Sequence, residues 1–189
     1  MRNALFLPVL LSCSLLAACQ NGQPSAPAAN EESTAPQATT DRLGALSSAC
    51  QIVPEQDIRL MFNIDADTAL QIEEGGGAFP SCSYQWGKDL VTRILHVGGQ
   101  EIEVHEPAKL MIVVAHGVSA DGFEQSTSVY KDAEDLPGPG ERARWGAAMS
   151  QLSFLSGDKL FHLNVKTSSS PEQNRVMSVH LAHEVLRRI

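Results

Sequence analysis

Apolar and polar residues follow three different patterns along the 189-residue chain. Residues 4–18 are almost continuously apolar, residues 20–44 contain almost no large apolar side chain, and in the rest of the chain apolar residues recur in short periodic groups. Only the third pattern is that of a folded domain, because a segment with few large apolar side chains cannot bury enough surface to offset its ordering entropy. The pattern therefore predicts three parts: residues 1–18, residues 19–45 and one globular domain of residues 46–189.

Strand signals dominate the first half of this domain. Runs that alternate in polarity or carry aromatic residues are separated by glycine turns, and residues 110–115 are apolar throughout, which is typical of a strand covered on both faces. These patterns predict five strands, at residues 68–73, 79–86, 90–97, 101–106 and 109–116, with Pro107 breaking or edging the connection between the last two. A short helix with Pro54 near its first turn is predicted before them, because proline is tolerated at that position.

Helical and strand signals mix in the second half. We predict a helix over residues 120–133, then three strands at residues 143–147, 151–156 and 159–165. A final helix follows, capped by Ser170 and starting at Pro171. The order α-β(5)-α-β(3)-α predicts an α+β fold with a mostly antiparallel sheet covered by helices.

The N-terminal apolar segment has the order of a secretory signal peptide. Arg2 supplies one positive charge, the apolar run follows, and small residues close the segment at residue 18. A permanent membrane helix is the alternative. However, the run is about 15 residues long and contains Pro8, whereas a membrane span needs about 20 residues.

Residues 16–19 (Leu-Ala-Ala-Cys) resemble the lipobox of bacterial lipoproteins. The resemblance implies cleavage before Cys19 and attachment of lipid to its thiol, with residues 20–44 as a tether of roughly 25–30 Å reach. Gln20 lacks the acidic character that signals inner-membrane retention in lipoproteins of enteric type. The resemblance therefore favours the outer membrane, facing the periplasm, if the source is Gram-negative.

Charge and cysteine content narrow the class of protein. A chain with a formal charge of −8 is poorly suited to bind nucleic acid or an anionic lipid surface, because both require a positively charged binding surface.

Once Cys13 leaves with the signal peptide and Cys19 carries lipid, Cys50 and Cys82 remain. An even remainder in an exported chain predicts one disulfide. A redox-active pair would need Cys-x-x-Cys spacing, and a zinc site would need two further ligands.

Histidines offer the main candidates for chemistry. His96, His105 and His116 fall on or near predicted strands and would form a zinc site if they converged. His180 and His183 stand three residues apart on the last helix, a spacing that suits either a shared metal or a solvated polar face. The sequence contains no nucleophile elbow and no phosphate-binding loop. We therefore predict a protein that is not an enzyme and has no metal or cofactor.

Cys82, Tyr84 and Trp86 alternate along one predicted strand and therefore share a face. They form either a compact core beside the disulfide or an aromatic patch for a ligand or partner. Trp145, on a later strand, would join the same group. The sequence leaves both alternatives open.

The domain is also similar to small exported lipoproteins of unknown function, in which a cysteine precedes a short helix and a second cysteine lies in a strand that ends in tryptophan. The matching residues are Cys50, Cys82, Trp86, Gly138, Gly140, Trp145, Gly157, Asp158 and residues 181–186. This resemblance implies an α+β fold over roughly residues 46–189 and no known catalytic residues.

We therefore expect a membrane-anchored extracytoplasmic lipoprotein that binds a molecule rather than transforms it. Its partners would be the bilayer, through acylated Cys19, and either an envelope protein or a small apolar ligand between sheet and helix. The alternatives are a metal-handling protein or enzyme that uses the histidines, and a structural spacer of the envelope. An apolar pocket with a few convergent polar groups would favour a ligand, and a large exposed apolar patch would favour a protein partner.

Overall fold

The computed structural model describes residues 48–189. Within them the α-helices are α1 (Glu55–Met61), α2 (Ala120–Thr127) and α3 (Pro171–Leu186). The strands are β1 (Leu70–Gly75), β2 (Ser81–Val97), β3 (Gln100–His116), β4 (Ala133–Asp135), β5 (Arg142–Gly146), β6 (Gln151–Ser156) and β7 (Lys159–Lys166). Short 3-10 helices occupy Ala49–Gln51 and Ala147–Met149.

The strands form one antiparallel sheet in the order β1-β2-β3-β7-β6-β5-β4. β1 to β3 form one meander and β4 to β7 form a second. The two meanders join where β7 pairs with β3, with Leu110 opposite Val165. The predicted α+β class with an antiparallel sheet is confirmed.

The strand order differs from the prediction, since three strands precede α2 and four follow it. The predicted strands merge in pairs because β2 and β3 each continue for 17 residues. Pro107 does not interrupt β3, because no neighbouring strand needs its missing N–H. Pairing with β2 passes from Ala108 to Glu106 across a bulge, and pairing with β7 begins at Lys109.

The helix predicted over residues 120–133 is also shorter than expected. α2 ends at Thr127, and residues 133–135 form β4 instead. Tyr130 turns back towards the sheet, where its hydroxyl lies 2.5 Å from Ser153 Oγ. This contact and the weak helix propensity of the Thr-Ser-Val run explain why the helix stops early.

One face of the sheet carries the main hydrophobic core. The strand register aligns buried side chains in rows, for example Cys82, Ile112, Leu163 and Leu152. The same cluster includes Ile58 of α1 and three residues of α3: Leu181, Ala182 and Val185. A smaller cluster on the other side contains Phe123 of α2 with Ala115, Leu155 and Leu160.

β2 and β3 extend beyond the sheet as a two-stranded arm, which we define as residues 91–106. β1 pairs with β2 only as far as Trp86, and β7 pairs with β3 only from Lys109, so among residues 48–189 the strands of the arm pair only with each other. Gly98 and Gly99 turn the chain at the tip with φ of 59° and 82°, as a two-residue hairpin turn requires.

The longest of the described helices, α3, has 16 residues. Across residues 48–189 no helix combines the length and the apolar character that crossing a bilayer requires.

Candidate functional site

A cavity of about 710 Å³ lies where the end of α1, the bulge of β2 and the first turns of α3 meet. We call it the apolar cavity. Apolar side chains from all three elements form much of its wall, namely Met61, Phe62, Trp86, Leu90, Val176 and Met177. The cavity therefore lies at a junction of the sheet with two helices.

Two aromatic rings form one wall of the apolar cavity. The centroids of Phe62 and Trp86 lie 5.5 Å apart, and the ring planes are tilted by 56°. Phe62 reaches this position because α1 ends there: Asn63 adopts a left-handed φ of 50°, and the Ile64 N–H donates to the Arg59 carbonyl over 2.8 Å. This turn is a helix ending of the kind that asparagine tolerates.

The α3 side of the apolar cavity is held by Asn174, which is buried. Its side-chain oxygen accepts from the N–H groups of Thr167 and Ser168, over 3.1 and 3.0 Å, and its amide donates to the Ser168 carbonyl over 2.9 Å. These three bonds fix the loop before α3. They therefore also fix how Val176 and Met177, two and three residues further along α3, face the cavity.

The bulge of β2 closes the third side of the apolar cavity. Four residues, 87–90, stand opposite Pro107 alone, and Gly87 takes a positive φ of 64°. A Cβ at Gly87 would lie 2.5 Å from Leu90 Cδ1, so only glycine fits beside that side chain without movement. The Thr92 N–H donates to Ser169 Oγ over 2.8 Å and ties the base of the arm to the loop before α3.

The charged residues in the wall of the apolar cavity are Asp65 and Glu172, both of which are exposed. Arg175 Nη2 lies 2.8 Å from Glu172 Oε1, and this hydrogen-bonded ion pair lowers the pKa of the Glu172 carboxyl. The Asp65 carboxylate makes no ion pair within residues 48–189. Among the described residues, Asp65 is therefore the carboxylate at the edge of the cavity that has no ion-pair partner.

A second cavity of about 440 Å³, the polar cavity, lies beside the first. Gln71, Gln85 and Lys88 contribute polar side chains to its wall. Thr68, Trp86 and Gly87 line both cavities.

The predicted aromatic patch is divided between the core and the apolar cavity. Tyr84, Trp86 and Trp145 all belong to the main core cluster. The Tyr84 hydroxyl donates to the Val53 carbonyl over 2.9 Å, and burial raises the pKa of Tyr84 to about 12. Trp86 also lines the apolar cavity, whereas Tyr84 and Trp145 do not.

Cys50 and Cys82 form a disulfide with Cα atoms 4.9 Å apart. It joins the 3-10 helix before α1 to β2. Cys19 lies outside the described residues, as do the predicted signal peptide and tether.

The strand histidines do not converge. His96 is near the tip of the arm and His116 is at the opposite end of β3. His105 and His116 are eleven positions apart along β3, which corresponds to roughly 36 Å of extended strand. His180 and His183 are both exposed on α3. In the part of the chain that the structure describes, no three histidine, cysteine or acidic side chains are placed to hold a metal ion.

Sequence reasoning overlooked the sixth histidine, His162, on β7. Its Nδ1 lies 2.6 Å from Ser153 Oγ, which contacts the Tyr130 hydroxyl. That hydroxyl accepts from Gln151 Nε2 over 2.7 Å. Burial lowers the pKa of His162 and raises that of Tyr130. Ser153 is fully buried, so this chain of hydrogen bonds stabilises the fold rather than presenting a nucleophile. The two-residue turn between β6 and β7 sets Ser153 opposite His162, and this signal was available in the sequence.

No protein-family model matches this chain, no curated protein is significantly similar to it, and no solved structure matches its fold.

Proposed function

We propose that this protein is a membrane-anchored extracytoplasmic lipoprotein and that its domain is a non-enzymatic binding module. The lipobox-like residues 16–19 support anchoring through an acyl group on Cys19. The disulfide between Cys50 and Cys82 supports an oxidising compartment, where such bonds persist. In a Gram-negative source the protein would face the periplasm from the outer membrane.

The anchor is tested by fractionating cells that express a Cys19→Ser variant. We expect this variant to move to the soluble fraction or to stay unprocessed, because the acylated residue is lost. Cys13→Ser, within the predicted signal peptide, is the matched control and should leave membrane retention unchanged. Normal processing and retention of Cys19→Ser would contradict the lipid anchor.

We further propose that the domain binds a small, mainly apolar molecule in the apolar cavity. The observation that carries this proposal is the cavity itself, whose volume of about 710 Å³ suits a small-molecule site. Leu90 and Val176 in its wall are 55% and 43% exposed. Covering such side chains with an apolar ligand contributes roughly 25 cal/mol for each Å² removed from water.

Ligand binding is tested with N-phenyl-1-naphthylamine, an apolar dye that fluoresces when it leaves water. We expect one saturable site on the unlipidated full-length chain with its disulfide formed. Val176→Glu should weaken binding by at least about tenfold, because the new carboxylate would lose its water when the dye enters.

Val129→Glu is the matched control, since Val129 is 64% exposed and lies outside the wall of the cavity. It should leave dye binding unchanged, and circular dichroism should show both variants folded. The absence of saturable binding to the unmodified chain would refute the ligand proposal, as would equal losses in the two variants.

A second candidate function, docking of an envelope protein, is favoured by the arm. Ile94, Val97 and Ile102 are 47%, 57% and 45% exposed. Beyond Thr92, whose N–H donates to Ser169 Oγ, the outer edges of both arm strands pair with no other strand within the described residues, and such edges accept a strand from a partner. The double variant Val97→Lys with Ile102→Lys should abolish any discrete product of cross-linking in native membranes. Unchanged cross-linking would exclude the arm as the docking surface.

A further inference from the structure

The two cavities adjoin along one margin of the sheet. Three residues, Thr68, Trp86 and Gly87, belong to both walls. They lie just before β1 begins and where β2 bulges. Gln85 and Trp86 alternate along β2, so the polar cavity opens towards the opposite face of the sheet from the apolar cavity, and the two meet around the end of the β1–β2 pair.

The polar cavity has the chemistry of a head-group site. Gln71 and Gln85 stand directly opposite each other across β1 and β2, and each amide supplies two N–H donors. Lys88 is the charged residue in this wall, is exposed, and makes no ion pair among residues 48–189. A carboxylate or phosphate is the group that an ammonium beside two amide donors recognises.

We infer that the two cavities form one site for an anionic amphiphile. Its apolar body occupies the apolar cavity, and its carboxylate or phosphate lies beside Lys88 in the polar cavity. This inference rests on the proposed ligand function. The charges also set the orientation of the ligand, since Asp65 at the edge of the apolar cavity repels an anion and Lys88 attracts it.

The test compares probes of equal chain length that displace N-phenyl-1-naphthylamine: decanol, decanoate, decyl phosphate and decyltrimethylammonium. Decanoate or decyl phosphate should bind about two- to fivefold more tightly than decanol, the gain expected for an exposed charge pair. The tighter of the two anions identifies the head group. High salt should remove the gain, because it screens an exposed pair.

Two lysine variants test whether Lys88 is the source of the preference for anionic probes. Lys88→Gln should abolish the preference for the anionic probes and leave decanol binding unchanged. Lys131→Gln is the matched control, since Lys131 is also exposed and lies outside both walls. It should leave the affinities of all four probes unchanged.

The outcomes separate this inference from the function on which it rests. If decanol binds but neither anion binds more tightly, or if decyltrimethylammonium binds best, the anionic head group is refuted and the apolar-ligand function stands. An anion preference that survives Lys88→Gln refutes the assigned orientation. If neither the dye nor any probe binds, the proposed function itself fails.

Discussion

Reduction of the Cys50–Cys82 disulfide should destabilise the domain by an amount that follows from the loop it closes. The two cysteines are 32 positions apart in the sequence. Opening such a loop returns conformational entropy to the unfolded chain and lowers the free energy of unfolding by about 3.7 kcal/mol. That is a large share of the 5–15 kcal/mol that is usual for a domain, and it corresponds to a fall in Tm of roughly 10–15 °C.

We expect the reduced domain to remain folded, because the disulfide is not the only link between the segment before α1 and β2. The Tyr84 hydroxyl donates to the Val53 carbonyl, and Ile52, Val53 and Ile58 are buried in the main core. The apolar cavity should therefore still form after reduction. Dye binding should be retained at temperatures below the lowered Tm.

The measurement is urea unfolding of oxidised and reduced protein, followed by circular dichroism. Cys13→Ser and Cys19→Ser remove the other thiols. Both forms keep the sulfur atoms of Cys50 and Cys82, so the difference in stability reports the cross-link. The variant Cys50→Ala with Cys82→Ala should lose more stability, because it also removes side-chain volume from the core.

Two results would refute this reasoning. A difference below about 1 kcal/mol between oxidised and reduced protein would mean that the loop is not free in the unfolded chain, contrary to the entropy argument. Labelling of Cys50 or Cys82 by a thiol reagent in the untreated, denatured protein would mean that the bond does not form.

Two further predictions concern the pH dependence of stability and the substitution of two glycines by alanine. Burial lowers the pKa of His162 below 6.5, so the unfolded chain binds a proton first, and stability should fall as pH drops below about 6.5. In urea titrations His162→Gln should flatten this slope, and exposed His183→Gln should not. Gly140→Ala should lower the stability measured by thermal unfolding more than Gly157→Ala does, although the two glycines have similar φ angles of 63° and 60°. The added Cβ would lie 2.2 Å from the Leu155 carbonyl oxygen in the first variant and meet nothing within 4 Å in the second. Equal losses of stability of about 1–2 kcal/mol, the usual penalty for a left-handed backbone conformation alone, would contradict the predicted contact.

Local signals in the sequence predicted several elements correctly. The Ser170 hydroxyl accepts from the Gln173 N–H, and α3 starts at Pro171, as the capping pattern indicates. The turn at Gly157 and Asp158 joins β6 to β7 as expected. These features succeed because each depends on a few neighbouring residues, whose preferred backbone angles and hydrogen bonds act within one turn of chain.

Strand length was not predictable in the same way. Pro107 indicated a break between two strands. However, β2 bulges opposite Pro107, so no backbone carbonyl of a neighbouring strand requires the N–H that proline lacks, and β3 continues. Whether a proline interrupts a strand depends on which neighbour stands opposite it. The register of the neighbouring strand decides which residue that is, and the sequence around the proline does not contain this information.

The sequence alone determined the α+β class, the pairing of Cys50 with Cys82 and the shared face of Cys82, Tyr84 and Trp86. These follow from periodicity and from the number of cysteines. Only the tertiary structure decided that Phe62, Trp86 and Val176 line one cavity, and that Lys88 belongs to its polar neighbour. The physical reason is that α1, α3 and the β2 bulge are far apart in the chain and meet only through packing. The local sequence of each segment does not indicate which other segments it contacts.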